Sequence, residues 1–431
     1  MKKVGFYTLG CKVNQYETEA MAELFENSGY EIVGYEEFAD IYVINTCTVT
    51  GMSDRKSRQI IRRAKKVNPE SFVIVAGCYA QVAPEDVMKI DGVNLVIGTE
   101  GKKNIVTLYE ENQGIQKLSK VGDIMNCHSF ESLSVNTYTE RTRAYIKIQD
   151  GCNQFCSYCK IPYARGPIRS RDFDEVIAET CRLADAGFTE ITYVGIHIAS
   201  YGLDTKGHTL AELLCAANEI PGIKRIRLSS IEPMTLDESF IEKIKDCTKL
   251  CHHFHLSLQS GCDETLSRMN RRYTTDDYYR IVSGLRRHFP DVAITTDIMV
   301  GFPGETDEEF GKTCAFAEKV AFSGAHIFQY SPRPRTRAAE FEGQIDPAVK
   351  DVRSKKITAI TSRTAGEFME RFLGTTQEVL FEQKNGSYFE GKTDNYQNVL
   401  VKTDTDLSGE YRMVKLLKIK GDAFFGEIVE V

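Results

Sequence analysis

The 431-residue chain contains no tryptophan, no long apolar run and no excess of positive charge. No run approaches the roughly 20 apolar residues needed to cross a bilayer, so no membrane span is predicted. The N-terminus, MKKVGFYTLGCKVNQ, lacks the pattern of a secretion signal and is interpreted as a strand. The net charge of −7 does not indicate a nucleic-acid-binding protein, although a local basic face can bind RNA.

Cysteine is plentiful, and its count is odd. Thirteen cysteines in a long chain without a secretion signal argue against a disulfide framework. We therefore expect a cytoplasmic protein whose thiols stay reduced and free to bind metal. The 42% hydrophobic and 27% charged content is that of an ordinary globular protein, and the length suggests several domains.

The order of the predicted elements indicates an α/β protein. KVGFYTL, IYVINT, FVIVAG and VNLVIG read as strands separated by helices, which predicts a doubly wound parallel sheet over residues 1–115. Residues 116–137 are polar and read as a linker. Residues 138–368 hold six further strand–helix units, which predict a partial (β/α)6 barrel. Residues 371–431 alternate short strands with Gly and Asn turns, which predicts a small antiparallel β-barrel.

The strongest chemical signal is the run GCNQFCSYCK. Cys152, Cys156 and Cys159 follow a predicted strand, and three thiolates on one short loop can bind an iron–sulfur cluster. With three ligands for four irons, one iron is left open for a cofactor or substrate. A structural zinc site would need a fourth Cys or His close by, and none is adjacent.

A second set of three cysteines is scattered in the sequence. Cys11, Cys47 and Cys78 each follow the carboxyl end of a predicted parallel strand. Those ends line one edge of an open α/β sheet, where ligands bind, so the three can meet. Any one of them alone would be interpreted as a core residue, but the threefold coincidence favours a second cluster.

Other patterns leave alternatives open. Basic residues crowd the helix between Arg55 and Lys66 and recur at Arg165, Arg169, Arg171, Arg333, Arg335 and Arg337. They read either as solvated faces or as phosphate contacts. His253 and His255, in the stretch CHHFH, share one face of a strand and suit a barrel-lining role better than a metal site.

The motifs resemble a known family. The Cys152–Cys159 loop at the start of a barrel resembles the radical-SAM superfamily. TLGCKVNQYETE, NTCTVT and AGCYAQ, with IPYARGPIRSR, LSSIEP, LSLQSG and DIMVGFPGET, resemble the methylthiotransferases within it, and the closing β segment resembles their RNA-binding TRAM module. The stretch SPRPRTRAA departs from the family, with Arg335 where glycine is expected and Arg337 where proline is common.

The resemblance implies cofactors and roles. Cys152, Cys156 and Cys159 would hold the [4Fe–4S] cluster that cleaves S-adenosylmethionine (SAM) into a 5′-deoxyadenosyl radical, and Cys11, Cys47 and Cys78 an auxiliary [4Fe–4S] cluster that carries sulfur. The residues expected to contact SAM or the substrate are Tyr158 at the adenine, Gly195 at the methionine end, Glu232 at the ribose, and Gln259 and Asp297. For each of these five, packing or capping is the alternative.

The resemblance also implies a substrate. One branch modifies isopentenylated adenosine in tRNA and another an aspartate of a ribosomal protein. The segment LGCKVNQYE resembles the sequences of the third branch. That branch methylthiolates carbon two of N6-threonylcarbamoyladenosine at position thirty-seven, next to the anticodon. Expected partners are the tRNA anticodon loop, an electron donor such as flavodoxin and a sulfur source, with no membrane. The rival hypotheses are the other two substrates and a non-catalytic iron–sulfur protein that binds RNA.

The predicted C-terminal barrel gives mixed support for RNA binding. From Arg371 to Val431 it has 8 Lys and Arg against 10 Asp and Glu. Tyr388, Phe389 and Tyr396 can stack on unpaired bases, and the alternative is that they are core aromatics.

Overall fold

The structure is a computed structural model that describes residues 1–48, 51–115, 117–136 and 142–429. The two ends of the predicted linker, Gln116 and Thr137, lie outside the described residues. So do residues 138–141, at the predicted start of the barrel domain, and the last two residues of the chain.

The N-terminal part is a six-stranded sheet in which every pairing is parallel, with the order β2–β1–β3–β4–β5–β6. Its strands are β1 (Lys3–Thr8), β2 (Glu31–Val33), β3 (Ile41–Thr46), β4 (Phe72–Gly77), β5 (Leu95–Ile97) and β6 (Leu118–Lys120). Its helices are α1 (Lys12–Asn27), α2 (Gly51–Val67), α3 (Cys78–Val82), α4 (Pro84–Met88) and α5 (Ile105–Glu110). The four long apolar runs predicted as strands are all present. The edge strands β2 and β6 were missed because three residues are too few to show a period.

The predicted linker is more ordered than its composition suggested. It contains β6, which pairs with β5. Further on, Leu133 and Val135 are buried in the core of the barrel that follows. The polar sequence between these anchors hid them, and the segment ties the first sheet to the barrel.

The central part is an open arc of parallel strands. β7 (Ala144–Asp150), β9 (Glu190–Gly195) and β10 (Arg225–Leu228) pair with one another, as do β11 (His253–His255), β12 (Ala293–Val300) and β13 (Gly324–Gln329). Parallel bridges from Ile226 to Leu250 and from Ile231 to Leu256 join the two groups. The predicted partial barrel of six strands is confirmed, with the two-residue β8 (Arg169–Ser170) added antiparallel to β7.

Eight helices in the described residues follow the strands of this arc, and the first of them, α6, contacts α3 of the N-terminal part. They are α6 (Ile161–Arg165), α7 (Phe173–Asp185), α8 (Leu210–Asn218), α9 (Glu238–Ile244), α10 (Asp263–Arg268), α11 (Thr275–His288), α12 (Asp307–Val320) and α13 (Pro347–Glu370). Thr209, Thr274 and Thr306 begin α8, α11 and α12 with capping boxes, which satisfy the first free backbone donors.

The C-terminal part is the predicted closed barrel, of order β14–β15–β16–β18–β17. Its pairings are antiparallel as expected, except that β16 and β18 pair in parallel. The strands are β14 (Thr376–Asn385), β15 (Tyr388–Thr393), β16 (Asn398–Lys402), β17 (Tyr411–Lys420) and β18 (Ala423–Ile428). Buried arginines of β10 hold it on the central arc: Arg225 donates to the carbonyl of Lys392, and Arg227 to those of Thr393 and Asp394. Among the helices in the described residues, none is long and apolar enough to cross a membrane.

Candidate active site

The Cys152–Cys159 loop follows β7 and has a rigid backbone. Gly151 has φ +75°, and a Cβ there would lie 1.8 Å from the carbonyl oxygen of Pro167, so only glycine fits. The amide of Cys152 donates to Gly166 O, and that of Cys159 to Cys156 O, both at 3.0 Å. Asn270 donates to Phe155 O, which holds Phe155 at φ +48°. The conformation of the loop is therefore set by the protein's own backbone contacts.

The three thiols of this loop lie close together and have few polar partners. Burial, together with the neighbouring Cys156, raises the pKa of Cys152 to about 11 and that of Cys159 to about 12. Arg271 Nη1 lies 3.4 Å from Cys156 Sγ, and the Ile161 amide 3.4 Å from Cys159 Sγ. Crowded thiols with donors aimed at sulfur suit a metal cluster, which stabilises thiolates.

No group of three His, Cys, Asp or Glu side chains in the described part of the chain is placed to hold a single metal ion. A four-iron cluster differs from a single ion because each thiolate binds a different iron at a corner of the cube. Three thiols on one loop without a fourth protein ligand fit such a cluster better than zinc.

The second set of cysteines meets at one edge of the first sheet. Cys11 follows β1, Cys47 follows β3, and Cys78 begins α3 after β4, and these strands are neighbours. A Cβ at Gly10, where φ is +105°, would lie 2.9 Å from Cys47 Sγ, so the glycine lets the two turns approach. Asn14 donates to Leu9 O and Thr46 O and pins the two turns together.

The short helix α6 links the two sets of cysteines. It begins just after Cys159 and ends at Arg165, whose Nε donates to Cys78 Sγ at 3.3 Å. A five-residue helix is about 7.5 Å long. The thiols of both sets therefore lie at opposite ends of one helical segment.

Arg165 also belongs to a buried charge network. Its guanidinium contacts Glu17 at 2.5 Å and Asp150 at 3.1 Å, and Lys147 contacts both carboxylates. Lys102 pairs with Glu17 at 2.7 Å. Although burial opposes ionisation, Arg165 and the lysines hold the pKa of Glu17 well below its usual value. The network joins the first sheet to the barrel beside Cys78.

Replacing Arg165 with methionine is expected to destabilise the fold. Glu17 and Asp150 would lose a fully buried partner, and breaking a buried ion pair costs about 3–5 kcal/mol. Thermal unfolding of the anaerobically purified protein measures the effect as a lower Tm. Arg62→Met, on the exposed face of α2, is the matched control and should change Tm little. Equal Tm values for the two variants would contradict a structural role for the network.

A polar cluster lies beside the Cys152–Cys159 loop. Glu232 follows β10 and contacts His197 Nε2 at 3.2 Å and Arg271 at 3.7 Å. Although burial opposes ionisation, His197 and Arg271 hold the pKa of Glu232 below its usual value. Tyr158 packs edge-to-face on Phe302, with ring centroids 6.3 Å apart. The structure thus places Glu232 beside the loop, near Cys152, and turns the Tyr158 ring of the loop toward Phe302.

The other residues expected at SAM lie at or near the ends of strands. A Cβ at Gly195 would lie 3.0 Å from Gln149 Oε1, so its lack of a side chain makes room for Gln149. Gln259, at φ +68°, donates its amide to Asp297 O at 2.8 Å. Asp297 contacts His255 Nε2 at 3.2 Å. Packing therefore already explains Gly195, whereas Asp297 is partly exposed and faces a cavity.

Sequence reasoning missed His197 and Arg271. His197 lies two residues after Gly195, and Arg271 follows α10 in a run without a recognisable motif. Arg271 stacks on Tyr273, with its guanidinium carbon 5.0 Å from the ring centroid. The only available signal was a pair of arginines near a predicted strand end, which is too common to be informative.

The prediction that the arginines of the barrel bind phosphate is wrong for four of them. Arg165, Arg169 and Arg171 are buried and paired with carboxylates, so they cannot reach RNA. Arg333 is buried too, and it donates to Thr48 O and Asp54 next to Cys47. The charge was visible in the sequence, but the buried acidic partners come from distant segments.

Arg335 shows why glycine was expected at its position. Its φ is +64°, in the left-handed region that favours glycine. The side chain lines a surface cavity of about 380 Å³ with Lys160 and Tyr163, close to the Cys152–Cys159 loop. The loop thus keeps the backbone conformation that a glycine would adopt.

The aromatics of the C-terminal barrel divide into two groups. Phe389 is buried in the barrel core and cannot stack on a base, and Tyr388 packs against Phe425. Tyr396, at φ +68°, instead faces the central arc, where its ring stacks on His253 with centroids 4.7 Å apart.

A cavity of about 870 Å³ lies where the three parts of the chain meet. Lys12, next to Cys11, lines it from the first sheet, Ser230 and Asp297 from the central arc, and Lys392 and Tyr396 from the closing barrel. We call it the central cavity. It is the size of a small-molecule site, and Ser230 and Asp297 place it beside Glu232 and Gln259.

Two family profiles match the chain. The profile described as "Uncharacterized protein family UPF0004" matches residues 3–98, and "Radical SAM superfamily" matches residues 146–317. The first match ends at the sheet that carries Cys11, Cys47 and Cys78. The second contains the Cys152–Cys159 loop.

Relatives match over the whole length. "Threonylcarbamoyladenosine tRNA methylthiotransferase MtaB" of Bacillus subtilis is 42% identical over 100% of this chain and 97% of its own. The protein of that name from Aquifex aeolicus is 38% identical over 92% and 98%. "tRNA-2-methylthio-N(6)-dimethylallyladenosine synthase" of Acetivibrio thermocellus is 35% identical over 98% and 90%.

Solved structures share the fold at low identity. The radical S-adenosylmethionine methyltransferase TsrM of Kitasatospora setae superposes with a TM-score of 0.60 at 16% identity, covering 78% of this chain and 77% of its own. The fold, the two profiles and the full-length relatives lead to one conclusion: this chain belongs to the methylthiotransferase family of radical-SAM enzymes.

Proposed function

We propose that this enzyme methylthiolates carbon two of N6-threonylcarbamoyladenosine at position thirty-seven of tRNA, with two [4Fe–4S] clusters and with SAM as both radical source and methyl donor. The observation that supports this substrate is the order of the sequence identities to the full-length relatives. The two relatives named for threonylcarbamoyladenosine are more similar to this chain than the one named for dimethylallyladenosine. We also propose a division of the chain into four parts: a first domain at residues 1–115, a linker at 116–137, a barrel at 138–368 and a TRAM module at 371–431.

The six cysteines would hold the clusters. Cys152, Cys156 and Cys159 leave one iron open for SAM, and Cys11, Cys47 and Cys78 leave one open for sulfur. When bound, these groups supply a 5′-deoxyadenosyl radical and the sulfur that replaces hydrogen on an unreactive ring carbon. Arg165 and Arg271 each donate a hydrogen bond to one ligand sulfur, which orients the thiolate and tunes the cluster's potential.

The residues around the first loop would orient SAM. Glu232 is held in place by His197 and Arg271, and its carboxylate would accept hydrogen bonds from the ribose hydroxyls of SAM. Tyr158 offers an apolar face to the adenine, and Gln259 and Asp297 close the side toward the substrate. The central cavity would receive the target base, with Lys12, the neighbour of Cys11, on one side and Tyr396 on another.

The tRNA would contact the protein beyond the cavity. With Arg165, Arg169, Arg171 and Arg333 buried, the contacts would come mainly from the exposed side chains of α2, which are Arg55, Lys56, Arg62, Arg63 and Lys66. Arg335 and Arg337 of the central part are exposed as well. The reaction also needs reduction of the clusters and replacement of the spent sulfur. We therefore infer an electron donor such as flavodoxin and a sulfur source as further partners.

Binding of tRNA is expected to weaken steeply with salt. Each phosphate contact contributes a slope of about −0.7 to −0.9 to a plot of log affinity against log salt concentration. Filter binding of the holoenzyme at several salt concentrations measures that slope. The triple change of Arg55, Arg62 and Lys66 to glutamine should reduce it by about 2–3. Lys243→Gln, on the exposed face of α9, is the control. A flat salt response of the unaltered enzyme would contradict an extended footprint.

Nucleoside analysis of tRNA from a deletion strain, its parent and the complemented deletion strain tests the substrate assignment. Loss of the methylthio derivative of threonylcarbamoyladenosine, restored by the gene, is expected. If that nucleoside is unchanged and the dimethylallyl derivative or a ribosomal protein loses its methylthio group instead, the assignment to threonylcarbamoyladenosine is wrong. Failure to form 5′-deoxyadenosine from SAM and dithionite after anaerobic reconstitution would favour a non-catalytic iron–sulfur protein.

A further inference from the structure

Two lysines from different parts of the chain line the central cavity. Lys12 begins α1, directly after Cys11, and Lys392 is the penultimate residue of β15 in the closing barrel. Lys392 Nζ donates to Asn398 Oδ1 and lies 4.5 Å from the ring centroid of Tyr396. Lys12 Nζ lies 5.9 Å from the ring centroid of Tyr145.

Neither ammonium has a carboxylate partner within 4 Å among the described residues. Most nearby acids are engaged elsewhere: Glu190 contacts three arginines, Glu382 pairs with Arg143, and Asp297 contacts His255. Glu390, two residues before Lys392 on β15, is half-buried and forms no ion pair with it. Asp422 also lines the cavity, but it lies in the exposed turn before β18. The part of the cavity wall formed by Lys12 and Lys392 therefore carries positive charge without a buried counterion.

Two arginines lie near this part of the cavity wall, and each is paired with a carboxylate. Arg227 and Arg143 lie over the Tyr396 ring at 4.8 and 5.6 Å. Burial, reinforced by the nearby charge of Arg227, holds the pKa of His253 well below its usual value, so this histidine is neutral. Burial also lowers the pKa of Lys392. A partly buried ammonium is stabilised by an anion, so this wall is suited to a negatively charged ligand group.

We infer that Lys12 and Lys392 form a subsite for the carboxylate of the substrate's N6 substituent. The inference rests on the proposed function and deepens it. A threonylcarbamoyl group ends in a free carboxylate, whereas a dimethylallyl group is uncharged and apolar and would leave both ammoniums without a partner. The subsite therefore selects between the two adenosines by charge.

The size of the expected change in substrate affinity follows from the strength of a lysine–carboxylate contact. A hydrogen bond to a charged group that is lost on substitution lowers affinity by about 10- to 100-fold. The effect belongs in KM, because the carboxylate lies away from the carbon that reacts and is bound equally before and during the reaction.

The experiment compares two anticodon stem-loop RNAs that carry N6-threonylcarbamoyladenosine, one with the free carboxylate and one with its methyl ester. The reconstituted holoenzyme should methylthiolate the carboxylate RNA with a KM about 10- to 100-fold lower than that for the ester. Lys392→Met should raise KM for the carboxylate RNA to the level of the ester and leave the ester unaffected. Lys392→Arg should retain much of the preference. Lys402→Met, on the exposed face of β16, is the matched control and should behave as the unaltered enzyme.

Two outcomes overturn the inference. One is equal KM values for both RNAs with the unaltered enzyme, a comparison that needs no variant to fold. The other is a Lys392→Met variant that loses activity equally on both RNAs, because that result reports a structural role. Lys12→Met gives a second, independent reading of the same comparison. Activity on dimethylallyladenosine RNA, with none on either threonylcarbamoyl RNA, would instead overturn the proposed function.

Discussion

Cys156→Ala is expected to abolish the cleavage of SAM to 5′-deoxyadenosine and to lower the iron content from about eight to about four per chain. Cys156 is the buried member of its set, and its Sγ accepts a hydrogen bond from Arg271. Two remaining thiolates cannot hold the cube with one iron open. Iron analysis and chromatography of the reaction products measure the two effects in one preparation.

Cys314→Ala is the matched control, since Cys314 is also a buried thiol but lies on α12 in the barrel core. It should retain both the iron and the cleavage of SAM. If Cys156→Ala still formed 5′-deoxyadenosine at the rate of the control, the assignment of this loop would be wrong.

Cys78→Ala is expected to separate the two halves of the chemistry. Cys78 begins α3 at the edge of the first sheet, and its thiol contacts Arg165 rather than the Cys152–Cys159 loop. The variant should lose about four irons and all transfer of a methylthio group, yet still cleave SAM. Mass spectrometry of the RNA and of 5′-deoxyadenosine follows the two reactions separately.

The outcome that contradicts this separation is a Cys78→Ala variant that still methylthiolates RNA. A variant that loses both reactions would show that the sets of cysteines depend on each other, for which the contact of Arg165 with Cys78 and Asp150 supplies a route. Cys247→Ala, which removes a buried thiol on the outer side of the barrel near Cys215, serves as the control.

The fold could be predicted where local patterns are strong. IYVINT begins with four apolar residues and FVIVAG has no polar side chain, and they form the central strands β3 and β4. The convergence of Cys11, Cys47 and Cys78 followed from a rule about parallel sheets, and the structure places their strands side by side. Strands of three residues, such as β6, carry no such pattern.

The charged residues were harder to predict, because a sequence does not show which charge meets which. Arg165 and Arg169 looked like phosphate ligands, yet their partners Glu17 and Glu100 come from α1 and from the turn after β5. Lys392 is far from Lys12 in sequence, and only the docking of the closing barrel brings both to one cavity. Long-range packing therefore decides the electrostatics of the site.

The most direct test of the central claim uses the reconstituted holoenzyme, reduced with dithionite, SAM, and tRNA that carries N6-threonylcarbamoyladenosine. Mass spectrometry of the digested tRNA should show the methylthio derivative of that nucleoside, together with 5′-deoxyadenosine in the same reaction. Formation of 5′-deoxyadenosine without any methylthio nucleoside, in a preparation with both clusters intact, would contradict the account.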